Sequence, residues 1–377
     1  MKHLSSLRAV VTPAALTRIA LGWAAFVALH LARPLLVAPL PGLALTALLA
    51  AIVAVIVICA FGVVTQAEHL ARRLGDPYGT LVLTLSIVLI EVILISAVML
   101  GPGEHATIAR DSVMAASMIV LTLVVGGALL VGGVRHDLRV NRTGVSLYLS
   151  FLVVLVAVAF AFPAVIGRGG AYPPHQAVPI LVLTIGLYGF FLSRQTGAQS
   201  ADFREVAAST RVVPEPTDDI GVVLRRHRKE VIARAGLLLV TVVPIVLLSH
   251  DLAVFLDDGL DRLGAPVALS GVLIALIVFL PEGITTMRAA WSGEAQRVVN
   301  LAHGALVSCV GLTLPVVLAI GLLTGQTVVL AETPANLLLL GASLVLNVVT
   351  FTARRVTALH GAAHLFVFVL YCLTIFA

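Results

Sequence analysis

Eleven apolar runs divide this 377-residue chain, at about 14–32, 41–63, 79–100, 112–134, 145–166, 177–193, 231–250, 265–287, 298–323, 334–351 and 359–376. Roughly 20 residues of helix cross the hydrocarbon core of a bilayer. The runs are continuous rather than alternating polar with apolar, which excludes the strands of a membrane barrel. Their number and length predict an all-α polytopic membrane protein with about 11 transmembrane helices. Composition excludes a soluble alternative: 60% of residues are hydrophobic and only 11% charged, against roughly a quarter charged in a soluble domain. One large soluble core would lack the charged surface to cover it.

The basic residues give an orientation. With the N-terminus cytoplasmic and the C-terminus external, only Arg33, Arg110, Arg168 and Arg262 of the 24 Lys and Arg fall outside. The N-terminal segment carries basic residues before an apolar stretch but no convincing small-x-small cleavage site. It is read as retained. The location expected is a bacterial inner (plasma) membrane, with the lipid bilayer as partner and no nucleic acid. Cys59, Cys309 and Cys372 lie inside apolar runs without a C-x-x-C pair, so they are read as packing residues, with no cofactor implied.

The chain echoes itself. Arg73-Leu74-Gly75-Asp76-Pro77 precedes the third run and Arg262-Leu263-Gly264-Ala265-Pro266 the eighth, and each is followed by an apolar run holding a glutamate. Five runs fill each half after the first, so the second half must enter the membrane the opposite way round. The expected organisation is a leading helix in 1–40, a first five-helix repeat in 41–193 with Glu91, a cytoplasmic linker in 194–230, and a second, inverted repeat in 231–377 with Glu282. Such inverted pairs are common among secondary transporters, with the substrate site near the midplane. The linker reads as a solvated segment with a basic end near anionic lipid.

Glu91 and Glu282 are the two acids that fall well inside runs. Glu91 lies about 21 Å of helix rise beyond Pro77 and Glu282 about 24 Å beyond Pro266, from opposite faces of a core about 30 Å thick. A charge at that depth costs roughly 2.5 to 3.5 kcal/mol on insertion scales. Each carboxylate must therefore be protonated, paired with a cation or wetted. No Lys or Arg stands beside either glutamate in its run, which makes a removable cation an attractive counter-charge. Competition of cation and protons for one pair of carboxylates is a physical basis for exchange. Each glutamate alone is also compatible with a neutral, hydrogen-bonded packing residue.

Pro281 and Gly283 flank Glu282. Proline removes a backbone donor and glycine permits unwinding, so freed carbonyls are expected near the ion, or else a simple packing kink. In the ninth run Ser308 is the polar residue most readily brought to the ion, with Thr313 further on. Asn300 either supports the site or caps the helix start, and His303 is read as a packed neutral imidazole. Gly304 and Gly311 allow close helix approach. His360 and His364 share a helix face but lack a third ligand nearby in sequence, so no metal site is assigned there. In the first half Ser117 is the nearest polar group at the matching place.

Three segments, "RLGDPYGTLVLTLSIVLIEVILISAVML", "RLGAPVALSGVLIALIVFLPEGITTMRAAWSGEAQRVVNLAHGALVSCVGLTLPVV" and "LHGAAHLFVFVLYCLTIFA", resemble the bacterial ChaA-type calcium/proton and sodium–potassium/proton antiporters of the calcium/cation antiporter superfamily. The resemblance runs from about residue 40 to the C-terminus and is weakest in 194–230. It implies an eleven-span exchanger with two inverted repeats, each contributing an essential glutamate at Glu91 and Glu282, and a polar ligand near Ser308. Where calcium/proton exchangers carry Gly-Asn shortly before each glutamate, this chain has Val88-Leu89-Ile90 and Phe279-Leu280-Pro281. Apolar residues around Ile119 and Val120 replace an expected asparagine.

The expectation is a secondary transporter, not an enzyme, that exports calcium, or sodium or potassium, in exchange for protons. No residue is assigned a catalytic role. Two rivals remain: a passive cation channel, which would conduct without proton coupling, and an intramembrane enzyme, for which no G-x-S-x-G or H-E-x-x-H motif is present.

Overall fold

The structure, a computed structural model, describes residues 12–36, 40–74, 85, 88–89, 91–93, 95–96, 99–100, 106–205 and 220–376. Its elements in chain order are α1 (Pro13–Ala32), α2 (Gly42–Leu74), α3 (Ile108–Met118), a π segment (Ile119–Val124) leading into α4 (Val125–Arg135), α5 (Arg142–Val156), and a second π segment (Ala157–Ala161) leading into α6 (Phe162–Ile166). There follow α7 (Pro174–Thr196), α8 (Ile220–Leu263), α9 (Val267–Trp291), α10 (Ala295–Thr324), α11 (Pro334–Thr352) and α12 (Ala358–Ile375). Among the described residues ten helical stretches have the length and apolarity to cross a membrane. The described positions between 85 and 99 are also helical, at the place of the third expected run; residues 79–84 lie outside the described residues. Strand pairing among the described residues is limited to isolated bridges such as Leu138 with Val356. The fold class is therefore all-α, as expected.

Local chemistry sets the helix ends. Thr12 accepts from the Ala15 N–H ahead of α1, Asn141 accepts from Thr143 and Gly144 ahead of α5, and Thr333 accepts from Asn336 ahead of α11, each meeting an otherwise orphaned first-turn donor. α10 stops where Gly325 takes φ 73°, a left-handed conformation natural to glycine. One boundary departs from expectation. The run at 231–250 is the middle of α8, a 44-residue helix that begins inside the expected linker and continues to Leu263. Apolar residues persist on its inner side at Leu248, Leu252 and Leu260. Two acids past residue 250 are paired, Asp251 with Arg33 at 2.7 Å and Asp258 with Arg262 at 2.6 Å, and the helix does not stop at residue 250.

The chain forms two compact units, Met1–Ser86 with Arg211–Ser270, and Ile87–Thr210 with Gly271–Ala377. Each draws on both halves of the sequence. In the first, α1, α2 and α8 pack together: Trp23 Nε1 donates to the Val240 carbonyl at 3.1 Å, Arg18 donates to Thr65 at 3.4 Å, and the buried Arg234 donates to Gln66 at 2.9 Å.

In the second unit α10 runs through the core, with residues from Ala295 to Leu318 almost continuously buried. The expected close approaches at its glycines are present. A Cβ at Gly304 would stand 3.3 Å from the Tyr148 hydroxyl of α5, and one at Gly311 only 2.8 Å from the Tyr188 ring of α7. At one end of the unit Val329 N donates to Ala106 O, Leu330 N to Gly170 O and Glu332 N to Phe160 O. At the other, Asn141 N donates to Gln296 at 2.7 Å and Arg142 donates to Ala353 O at 3.3 Å. Connections alternate between the two ends, as successive crossings require. Val182, Leu183, Val345 and Phe366 stand out from α7, α11 and α12 at 60%, 69%, 63% and 64% exposure, an apolar exterior suited to lipid.

The linker reading needs a correction at its start. Residues Ser200–Phe203 form a 3-10 turn docked on the second unit, with Phe203 buried among Tyr148 and Phe191. Glu205 accepts from the backbone N–H groups of Gln296 and Arg297 at 3.2 Å, placing a carboxylate at the positive end of α10. Residues 206–219 lie outside the described residues.

Candidate ion-binding site

Both glutamates belong to the second unit and both are buried, Glu91 at 4% exposure and Glu282 at 2%. They are close enough that the charge of Glu91 bears on Glu282. The carboxylates are almost bare among the described residues: Glu91 Oε1 accepts from the Cys309 thiol at 3.1 Å, while Glu91 Oε2 and both oxygens of Glu282 have no hydrogen-bond partner there. Buried polar atoms in folded proteins are nearly always paired, and a group left unpaired calls for a specific explanation. Three buried acceptor oxygens without a donor are what a hard cation or a pair of protons would satisfy.

Cys309 is the partner that the sequence did not single out. Read as a packing residue, it instead touches Glu91 and feels the charge of both glutamates. The reason is angular. Ser308 and Cys309 are adjacent on α10 and so point about 100° apart; Ser308 is buried against the Tyr188 hydroxyl, and the next position faces the carboxylate. Tertiary placement decides which of two small neighbours faces the site, and residue type carries no signal for it. One turn beyond Cys309, the buried Thr313 hydroxyl stands beside the Cys309 thiol.

The other expected residues divide. α9 runs unbroken through Pro281 and Gly283, so the expected unwinding is absent: the Thr285 hydroxyl donates to Pro281 O at 2.9 Å and that of Thr286 to Glu282 O at 2.8 Å. The carbonyl that the missing Pro281 N–H leaves without its ladder bond is that of Ile277, one turn earlier, so the two threonines add bonds to carbonyls already within the helix. A Cβ at Gly283 would meet only Val124, at an ordinary 3.6 Å, so the position does not require glycine. Ser117 is buried and returns its hydroxyl to Val113 O of its own helix at 2.7 Å. Asn300 neither caps α10 nor reaches the glutamates. It stands well inside the helix, accepts from Gln296 at 3.0 Å and donates to Phe203 O at 2.6 Å, tying down the 200–203 turn.

The histidines are placed as packing residues. His303 bonds Asn347 Oδ1 at 2.9 Å, His364 bonds Leu121 O at 2.8 Å and Thr350 at 3.1 Å, and His360 bonds Thr357 at the start of α12. Among the described residues no group of three or more His, Cys, Asp or Glu forms a metal-ligand set, in line with the reading of His360 and His364.

A further acid is buried where the sequence suggests a loop. Glu332, between α10 and α11, accepts from Thr333 N and Asn336 Nδ2 at 2.9 Å and lies 3.8 Å from Arg110. Burial pushes its carboxyl upward from the usual range, opposed by Asn336, the Thr333 N–H and Arg110.

Comparison with known proteins places these features. Residues 44–197 and 234–377 match the family model described as sodium/calcium exchanger protein, with Glu91 in one matched segment and Glu282 in the other. The sodium-potassium/proton antiporter ChaA of Escherichia coli (strain K12) is 34% identical over 323 residues, covering 84% of this chain and 86% of ChaA. Among solved structures, native YfkE superposes with TM-score 0.63 at 15% identity, over 95% of this chain and 99% of its own. The H+/Ca2+ exchanger CAX superposes with TM-score 0.64 at 14% identity, over 96% and 89%. At such identities the likeness to these two is one of fold.

Proposed function

Because the chain belongs to the sodium/calcium exchanger protein family, we propose that it is a secondary active cation/proton antiporter whose cation and protons compete for Glu91 and Glu282. The observation that carries this reading is the pair of buried carboxylates, the charge of Glu91 bearing on Glu282, with three of four oxygens unpartnered among the described residues. Left ionised and empty, two such groups repel in a low dielectric. A bound cation removes the repulsion, and so do protons, but the two occupants exclude one another.

The cycle follows. Deprotonated Glu91 and Glu282 take a cation from the cytoplasm, the inverted halves rearrange around them, and protons from outside displace the cation and return on the same side chains. Inverted repeats, with the site at their junction, supply two equivalent arrangements; the paired family matches at 44–197 and 234–377 support that organisation. The basic residues support a cytoplasmic N-terminus in a bacterial inner membrane.

The cargo is a hard cation, calcium or an alkali ion. Two carboxylates neutralise one divalent ion and exchange it for two protons, or hold one monovalent ion beside a proton. The name of the 34% identical relative brings sodium and potassium forward; two paired carboxylates suit calcium. Inverted vesicles carrying a preset pH gradient test the reading, with calcium, sodium and potassium added one at a time. Dissipation by at least one cation, abolished in both Glu91→Gln and Glu282→Gln, is expected. No dissipation by any of them, or parental exchange in both variants, would overturn it. Conduction that ignores the pH gradient would make the protein a channel.

A further inference from the structure

The second unit contains a buried polar lattice away from the glutamates. Its centre is Asn347 on α11, which is fully buried. Asn347 Nδ2 donates to Leu121 O at 3.4 Å and to Ser343 O at 2.8 Å, and Asn347 Oδ1 faces His303 Nε2 of α10 at 2.9 Å. Leu121 lies in the π segment between α3 and α4. Its carbonyl takes a second bond, at 2.8 Å, from His364 Nδ1 of α12, whose Nε2 lies 3.1 Å from the Thr350 hydroxyl.

Protons in this lattice have one arrangement without charge. Both amide hydrogens of Asn347 go to carbonyls, so its Oδ1 must accept and His303 must carry hydrogen on Nε2. Leu121 O accepts from His364, so that ring carries hydrogen on Nδ1 and accepts from Thr350 on Nε2. Helices α11 and α12 thus grip one backbone carbonyl of the π segment through neutral donors, and His303 of α10 holds Asn347 in place. A π turn departs from the regular helix ladder and occurs frequently at functional sites.

That segment packs against the helix that carries Glu282. Val124, its last residue, lies against Gly283, next to Glu282, and one turn on, the Met287 side chain of α9 packs over Gly127. We propose that Asn347 and His364 are positioning residues for ion binding: they fix the π segment of residues 119–124, and through Val124 they set where the Glu282 carboxylate stands. This rests on the exchange reading above and adds to it two residues that need not touch the ion.

The test measures cation-dependent dissipation of a pH gradient in vesicles, using whichever of calcium, sodium or potassium the parent exchanges, across a range of cation concentrations. Asn347→Leu and His364→Leu are expected to raise the half-saturating concentration about tenfold while the maximal rate per folded molecule stays within about twofold. His364→Asn, whose side-chain N–H takes the place of Nδ1, is expected to restore the parental half-saturation. A residue that merely stabilises the fold would lower the amount of active protein and leave half-saturation unchanged; that outcome in the leucine variants, or equal half-saturation in His364→Asn and His364→Leu, overturns the inference. If a leucine variant does not fold, the comparison of Asn347→Asp with the parent decides. A protonated aspartate accepts from His303 but has one hydrogen where asparagine has two, and that hydrogen goes to Ser343 O, nearer at 2.8 Å than Leu121 O at 3.4 Å, so Leu121 loses this donor and half-saturation must rise. Absence of exchange in the parent would instead defeat the functional reading.

Discussion

Replacing Glu282 by glutamine separates a carboxylate kept for transport from one kept for packing. In the parent neither oxygen of Glu282 makes a hydrogen bond among the described residues, so Glu282→Gln forfeits no bond there and nearly conserves volume. What changes is charge. An ionised group at membrane depth costs about 3 kcal/mol on insertion scales, and Glu91 adds repulsion. In purified protein, at low cation concentration and pH above neutrality, the variant should therefore melt at a higher temperature than the parent, and saturating cation should narrow the difference by stabilising the parent. Cation binding moves the other way. At an effective dielectric near 20 a unit charge about 4 Å away contributes about 4 kcal/mol, close to three powers of ten in affinity. Vesicle exchange at subsaturating cation should fall about 1,000-fold, read from the initial rate of gradient dissipation beside a melting curve of the same preparation. A variant that melts lower than the parent, or that still exchanges within tenfold of it, refutes the argument.

Other substitutions probe the scaffold. Gly361→Ala places a Cβ 2.5 Å from Leu130 N and 2.6 Å from Gly126 O, backbone atoms that yield only if α12 and α4 separate; a loss of about 1–3 kcal/mol is expected, with a weakened His364 contact raising half-saturation, and a melting temperature equal to the parent's would contradict the crossing. Gly283→Ala meets only Val124 at 3.6 Å and removes a helix-interior glycine, so it should retain exchange and gain about 0.5–1 kcal/mol; lost exchange in a folded variant would show that the backbone there must open. Glu332 has its carboxyl raised by burial, so the native form favours the proton and stability declines as pH rises from the ordinary 4.5 through the raised value. Glu332→Gln should lack that decline, seen as a stability difference from the parent that grows between pH 4 and pH 8; parallel curves would refute it. Asn300→Leu cuts the bonds to Phe203 and Gln296 and should expose the 200–205 turn to protease, with resistance like the parent's as the contrary result.

Much of the architecture was legible because lipid imposes a simple grammar. Apolar runs of bilayer length must become helices, and the two acids inside them had to be exceptional. The repeated R-L-G-x-P segments linked Glu91 to Glu282 before any coordinates, and both are buried side chains of one unit. Helix ends read less well: α8 passes through residue 250, and Arg33 pairs with Asp251 from another helix, a pairing that hydropathy does not register.

What the sequence determined alone was which acids fall inside apolar runs and at what depth, since the cost of a buried carboxylate depends on composition and length along one helix. What only the tertiary structure decided was which atoms surround them. Whether Ser308 or Cys309 meets Glu91 depends on the rotation of α10, and α9 stays helical through Pro281 where the local sequence also allows an opened turn. That Asn347 and His364 converge on Leu121 depends on glycine-lined helix crossings hundreds of residues apart in sequence. Hydrogen bonds and close contacts turn on differences of an ångström or less between helices, and no pattern within a single run specifies those.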